Sequence, residues 1–542
     1  MSKGYLAFVL HAHLPYVRHP EYDSFLEERW LFEAITETYI PLIKFLGRLV
    51  EELIPFRMTV SISPTLLAMM EDPLLRERYS VHLSGLIELS EKEMERTRHD
   101  PHLNYLAEMY HRLFTEAQEI FESNHRRLSS PFKKFHECGA IELITTSATH
   151  AVLPLFASQP RAVASQIATG LSYFERVFGF RPRGLWLPEC GYYPGLDELL
   201  GKEGIRFFIL ESHGIEHADT NPFYGVYAPL FTPSGVAAFG RDRASTKQVW
   251  SAREGFPGDP VYREFYRDIG YDLDFGYIQP YIAGNTRIDT GIKYCRVTGP
   301  TAWKEPYYPD AARERAAQHA GDFLHKRISH VEYLSSVMET MPVVVAPFDA
   351  ELFGHWWFEG PQWLDFVLRK TVFDQEVLEL ITLSEYLDRH PVHQTGIPSS
   401  STWGHKGYFE AWVNGKTDWI YPQLYECARR MESLVAHYQK GQIPTPVRRA
   451  LNQCLRELLL AQSSDWPFII NAGTSAEYSV RRIKDHVARF HFLADSLENG
   501  SVNLEYLSAL EQIDNIFPDA DCRPFQQLLQ NATMSGTVAT KI

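Results

Sequence analysis

Val343–Trp357 reads VVVAPFDAELFGHWW. A short apolar run, mostly β-branched, leads through a proline to two carboxylates, Asp349 and Glu351, and a tryptophan pair. Such a run reads as a strand buried on both faces, and the polar residues at its end as the catalytic edge of a parallel sheet. Seven further runs repeat the pattern: Tyr5–Leu10, Arg57–Ile62, Ile141–Thr145, Gly184–Leu187, Arg206–Leu210, Val236–Phe239 and Leu378–Leu383. Helical stretches separate them, so the fold class is α/β, and the number of units favours a (β/α) barrel over an open sheet.

Around this frame the chain is uneven. Residues 71–138 are charged, with apolar positions such as Leu106, Met109, Tyr110 and Leu113 at helical spacing; they predict a helical insertion. Residues 242–301 are rich in Gly and aromatics and poor in helical period, as expected of an active-site loop. The expected catalytic domain is 1–400. A helical domain is expected over 401–525, with Thr445 capping one helix and Pro446 opening it above a stripe of Val447, Leu451, Leu455, Leu458 and Leu459. Residues 526–542 read as a disordered tail.

Composition narrows the partners. With 53 Lys plus Arg against 68 Asp plus Glu, the formal charge is −15. No basic stretch could neutralise a nucleic-acid backbone or dock on an anionic membrane. Six scattered cysteines without a C-x-x-C pair read as free thiols in a reducing compartment. The N-terminus lacks a leader pattern, and no apolar run approaches ~18 residues, so a cytoplasmic protein is expected. The 13% of aromatic residues suits a groove that stacks flat, amphipathic ligands.

Chemistry concentrates at strand ends. Gly184–Tyr192, GLWLPECGY, sets Glu189 after a strand and a proline, as VVVAPFD sets Asp349. Glycosidic bond chemistry needs one carboxyl group as acid and another as base or nucleophile, ~5–5.5 Å apart for retention. Carboxylates this distant in sequence can pair only through the fold. His11-Ala12-His13 puts two imidazoles on one strand face, fit either for zinc or for hydrogen bonds to sugar hydroxyls. His150, His213 or Asp349 could supply a third ligand. Phosphate-loop, dinucleotide, HExxH and GxSxG motifs are absent.

HAHLPY at His11–Tyr16, WLPECGY at Trp186–Tyr192, APFDAELFGHWW at Ala346–Trp357 and SSDW at Ser463–Trp466 together resemble glycoside hydrolase family 57. The resemblance implies a (β/α)7 barrel with a helical insertion and a C-terminal helical domain. It implies 1,4-α-glucan branching by retaining double displacement, with no metal or other cofactor. By motif, Glu189 is then the nucleophile and Asp349 the general acid/base. His11, His13, Trp30, Arg267, Gly284, Trp403 and Asp465 are then substrate-binding residues on an α-glucan such as amylose or a glycogen-like polymer. Rival readings are an α-amylase or 4-α-glucanotransferase of the same family, a zinc-dependent carbohydrate deacetylase or hydrolase, and a non-catalytic glucan binder. Oligomeric state has no signature in the sequence.

Overall fold

The computed structural model describes residues 2–251, 255–282, 284, 286–438, 443–520, 522 and 525. The expected tail at 526–542 lies outside them. Nine strands occur among the described residues: β1 Gly4–Ala12, β2 Met58–Ile62, β3 Ile141–Ile144, β4 Gly184–Trp186, β5 Phe207–Leu210, β6 Leu230–Phe231, β7 Ala237–Gly240, β8 Val343–Asp349 and β9 Leu378–Leu380. All eight apolar runs are strands. Only β6 was not legible, because two residues are too short to leave a period.

Hydrogen bonding arranges them in two sheets. One has the order β3-β2-β1-β8, with β9 also on β1; the other runs β4-β5-β7-β6. β1 is parallel to β8 and β9, with Tyr5 opposite Val343 and His11 opposite Asp349. β4, β5 and β7 are parallel, and β6 returns antiparallel on β7. Every residue of β1 is buried, as expected of a strand covered on both faces.

The chain forms two compact units. The first comprises residues up to Val60, Met69–Leu143 and Arg241–His390; the second comprises Ser61–Ala68, Ile144–Gly240 and the described residues from Pro391. In the first, the insertion is helical, as Pro73–Thr97, Pro101–Ser123 and Ser129–Glu137. Asp72 and Asp100 cap the first two helices by accepting backbone N–H bonds ahead of a proline. The buried stripe of Pro101–Ser123 is Leu106, Ala107, Tyr110, Phe114, Ala117 and Phe121, while Met109 and Leu113 are half-buried. It keeps Leu106 and Tyr110 of the expected stripe but puts Phe114 and Phe121 inside, in place of Met109 and Leu113.

In the second unit, helices Ile420–Tyr438, Thr445–Ala461, Asp465–Ala472, Ala476–Glu498 and Leu504–Ile513 follow one another. Thr445 is the first helical residue and Pro444 the cap position, so the expected threonine cap is absent; Val447 is only half-buried. These helices bond directly to Ile144–Gly240. Tyr425 Oη donates to the Leu155 carbonyl at 2.7 Å, Gln166 Nε2 to Gln462 Oε1 at 3.0 Å, and Thr149 Oγ1 to the Leu459 carbonyl. The sequence division at 400 therefore follows composition, while compactness joins the later helices to residues 144–240. None of the described helices is long and apolar enough to cross a membrane.

Candidate active site

In the first unit the parallel pairing of β1 and β8 sets His11 beside Asp349. His11 is buried, and its ring stacks on His13 with centroids 5.8 Å apart. Burial, then the nearby His13, push His11 well below the usual histidine range, so it is a neutral hydrogen-bonding group. The His13 backbone N–H donates to Glu351 Oε1 at 3.1 Å, and Tyr39 Oη makes a short bond to the same oxygen. Burial, then the charge of Glu351, raise the Tyr39 hydroxyl well above its ordinary value and keep it a donor.

Tyr39 ends a single π-helical turn, Ile35–Tyr39, inserted between helices Glu28–Ala34 and Ile40–Glu51. Such bulges turn side chains out of helical register and recur at functional sites. This one also aims Glu37 at His355, with Oε2 2.7 Å from Nδ1, while the His355 backbone N–H donates to Thr38 Oγ1 at 3.3 Å. Burial works to lower the His355 pKa, but the bond to Glu37 and its charge outweigh it, and the net shift is upward. Gly354 sits at φ 116°, where a Cβ would stand 1.8 Å from the Glu37 carbonyl oxygen. The loop after β8 is thus seated on the bulge by close backbone contact.

Trp30 is half-buried on helix Glu28–Ala34. Trp356 is 55% exposed and stacks on Phe265, centroids 4.5 Å apart. Arg267 holds Asp272 through Nε at 2.9 Å, and Gly284 is exposed at φ 79°. Both lie in the 242–301 loop, which contains only short helical pieces among its described residues.

In the second unit Glu189 follows β4 and Pro188 in a left-handed backbone conformation, φ 59° and ψ 22°, with Cys190 at φ 51°. Non-glycine residues occupy this region at a cost, and such strain gathers at functional sites. Trp403 secures the conformation twice: its indole Nε1 donates to Glu189 Oε2 at 2.7 Å, and its backbone N–H to the Glu189 carbonyl at 3.0 Å. The Trp403 ring meets Trp186 edge-on at 5.2 Å. His150, itself at φ 57°, places Nδ1 3.7 Å from Glu189 Oε1. It also shares a 2.8 Å bond with Ser464 Oγ, and Ser464 N–H donates to the His150 carbonyl at 3.1 Å. Ser463 Oγ donates to Asp465 Oδ2 at 2.5 Å. The SSDW motif is thereby attached to the Glu189 neighbourhood through His150.

Each unit thus presents one carboxylate at a parallel strand end, supported by its own aromatic and histidine groups. Sequence reading missed Tyr39 and Glu37, because a π-turn leaves no period; His355 lay inside the quoted Ala346–Trp357 motif but was given no role. It weighed His150 only as a metal ligand; its place between SSDW and Glu189 had no signal. A trio with donor atoms within 4.8 Å, Glu457, His486 and Asp514, lies in the C-terminal helices. His486 Nδ1 is 2.7 Å from Glu457 Oε2, and Arg489 donates to Asp514 Oδ2 at 2.6 Å. Its charges are already balanced by protein groups, which describes a buried ion network better than a metal cage.

Residues 7–398 match the model of glycosyl hydrolase family 57, and residues 423–525 match that of the 1,4-alpha-glucan branching enzyme C-terminal region. The chain belongs to glycosyl hydrolase family 57. It is 33% identical to the 1,4-alpha-glucan branching enzyme TK1436 of Thermococcus kodakarensis, over 96% of this chain and 78% of that one. Among solved structures, it is similar to the α-amylase AmyC of Thermotoga maritima, with 46% identity, 96% and 99% of the two chains covered and a TM-score of 0.90. It is likewise similar to the branching enzyme of Pyrococcus horikoshii, with 34% identity, 96% and 97% covered and a TM-score of 0.87. These likenesses confirm the α/β fold with C-terminal helices.

Proposed function

We propose that the chain is a 1,4-α-glucan branching enzyme. It cleaves an α-1,4 glucan and transfers the freed chain to a 6-hydroxyl, forming an α-1,6 branch. The observation that carries this reading is the match of residues 423–525 to the C-terminal region of branching enzymes. The likeness to AmyC favours a second reading, hydrolysis as an α-amylase. Digestion of treated amylose with a debranching enzyme separates them: branching releases a ladder of short linear chains, and hydrolysis leaves nothing for that enzyme to cut.

Glu189 attacks the anomeric carbon while Asp349 protonates the departing oxygen. Asp349 then takes the proton of the incoming 6-hydroxyl, and the two inversions return the α configuration. The Trp403 indole N–H holds Glu189 Oε2, and His150 Nδ1 stands 3.7 Å from Oε1, so the carboxylate is positioned from two sides. His11, neutral and buried, donates to or accepts from sugar hydroxyls beside Asp349, with His13 next to it. Trp30, Arg267, Gly284, Trp403 and Asp465 complete the contacts to the α-glucan. In this reading residues 1–400 carry the chemistry and 401–525 complete the groove, in a cytoplasmic protein acting without metal.

The roles are separable by azide rescue. Glu189→Ala with azide is expected to yield the β-glycosyl azide, and Asp349→Ala the α-glycosyl azide, because only the second variant retains a nucleophile. The opposite anomers would exchange the two assignments.

A further inference from the structure

A cavity of about 460 Å³ opens in the first unit, within the size range of small-ligand sites. Phe45, Phe114 and Phe358 are among its walls, while Asp349, His11 and His13 are not. Its charged wall residues are mostly spoken for. Lys44 pairs with Glu116 at 2.5 Å, Arg48 with Asp365 at 2.6 Å, and Glu37 with His355. Arg263 is different. It is 6% exposed, its Nη1 donates to Tyr110 Oη at 3.2 Å, and its guanidinium carbon lies 4.1 Å from the centroid of Phe358. Among the described residues it forms no ion pair, and its Nε has no hydrogen-bond partner. The nearby Glu359 accepts Arg263's own backbone N–H at 3.0 Å. The charges of Glu37 and Glu359 lie near enough to favour the charged guanidinium, but its buried Nε is left without an acceptor, and the aromatic faces around it define what kind of acceptor would fit.

We propose that this cavity binds a small organic anion, its apolar ring held among the phenylalanines and its carboxylate or phosphate on Arg263. Exposed Arg313, also on the lining, adds positive charge where such an anion enters. The proposal does not depend on the outcome of the glucan reaction.

Calorimetry with four probes tests it: 3-phenylpropionate, phenyl phosphate, neutral 3-phenylpropanol and maltotriose. The anions are expected to bind one to one and roughly 10- to 100-fold tighter than the alcohol, the worth of one charge-assisted bond. The two anion arms distinguish a carboxylate from a phosphate ligand. Arg263→Met should reduce both anions to the level of the alcohol. Leu113→Trp, at a half-buried position on the lining, should abolish binding by filling the space; a melt identical to the parent's shows it is folded. Equal affinity for the alcohol would overturn the proposal, as would unchanged anion binding in Leu113→Trp or no binding of either anion. Maltotriose binding lost in Leu113→Trp would make the cavity a glucan subsite and overturn it too. Should Arg263→Met not fold, Leu113→Trp decides alone.

Discussion

Glu189 combines two properties that rarely occur together without function: a left-handed backbone at a non-glycine residue and a carboxylate bonded by an indole N–H. Replacing Trp403 by Phe removes that bond while keeping the aromatic contact with Trp186. A bond to a charged acceptor is worth roughly 1.5–3 kcal/mol, so kcat should fall about 10- to 100-fold with the fold intact. An unchanged kcat would leave Trp403 a packing residue. Glu189→Gln should lose roughly 10⁴-fold or more in transfer and hydrolysis alike. The His355–Glu37 pair carries a pH signature. His355 is raised above its unfolded value, so its contribution to stability is complete below ~pH 6.5 and fades as pH climbs through the raised folded value. Glu37 is lowered: burial opposes this, but the bond and charge of His355, with the charges of Arg263 and Lys293, outweigh it, and its contribution fades as pH falls below the carboxylate range. Melting of the parent against Glu37→Gln should differ most in the mildly acidic range and less on the alkaline side, where only Arg263 and Lys293 still face Glu37. At this scale the sequence put Glu189 and Asp349 in compact motifs after apolar strands, and the structure sets Glu189 just after β4 and Asp349 at the end of β8. The sequence was silent on Glu37, whose role depends on a backbone bulge.

The elements show why. β1 and β8 were legible because continuous apolar runs need two covered faces, and their parallel register brings His11 to Asp349. The π-turn Ile35–Tyr39 was not legible, since one extra residue in a helix changes no composition. Yet that turn and the loop after β8 are fitted together through Gly354, the Glu37–His355 pair and Tyr39–Glu351. Gly354→Ala demands a positive φ from an L-residue and a Cβ inside contact distance of the Glu37 carbonyl. A loss of at least about 1–3 kcal/mol is expected, with activity falling even where the protein stays folded. Chemical denaturation with parallel activity assays checks it; a neutral substitution would mean the loop is seated otherwise. The altered stripe of Pro101–Ser123 and the missing Thr445 cap show the ordinary limit of periodicity, which fixes a helix but not every residue of its inner face.

On the scale of the whole molecule, the sequence reading placed a boundary at 400, between the two matched regions, and the C-terminal helices bond into the unit containing Glu189. Their interior is held partly by the buried network of Glu457, His486, Asp514 and Arg489. Breaking such a network on one side strands the remaining charges. Glu457→Ala should therefore cost about 3–5 kcal/mol, visible as a lower Tm, and a neutral result would contradict the role of these charges. Family membership follows from matches over residues 7–398 and 423–525; the reaction outcome is the remaining claim, since the similar proteins include both branching enzymes and an α-amylase. The most direct measurement incubates purified protein with amylose and follows anomeric protons by NMR alongside reducing ends. A growing α-1,6 signal matched by loss of α-1,4 linkages, with few new reducing ends, is the predicted result. Reducing ends rising without α-1,6 protons would contradict the branching assignment.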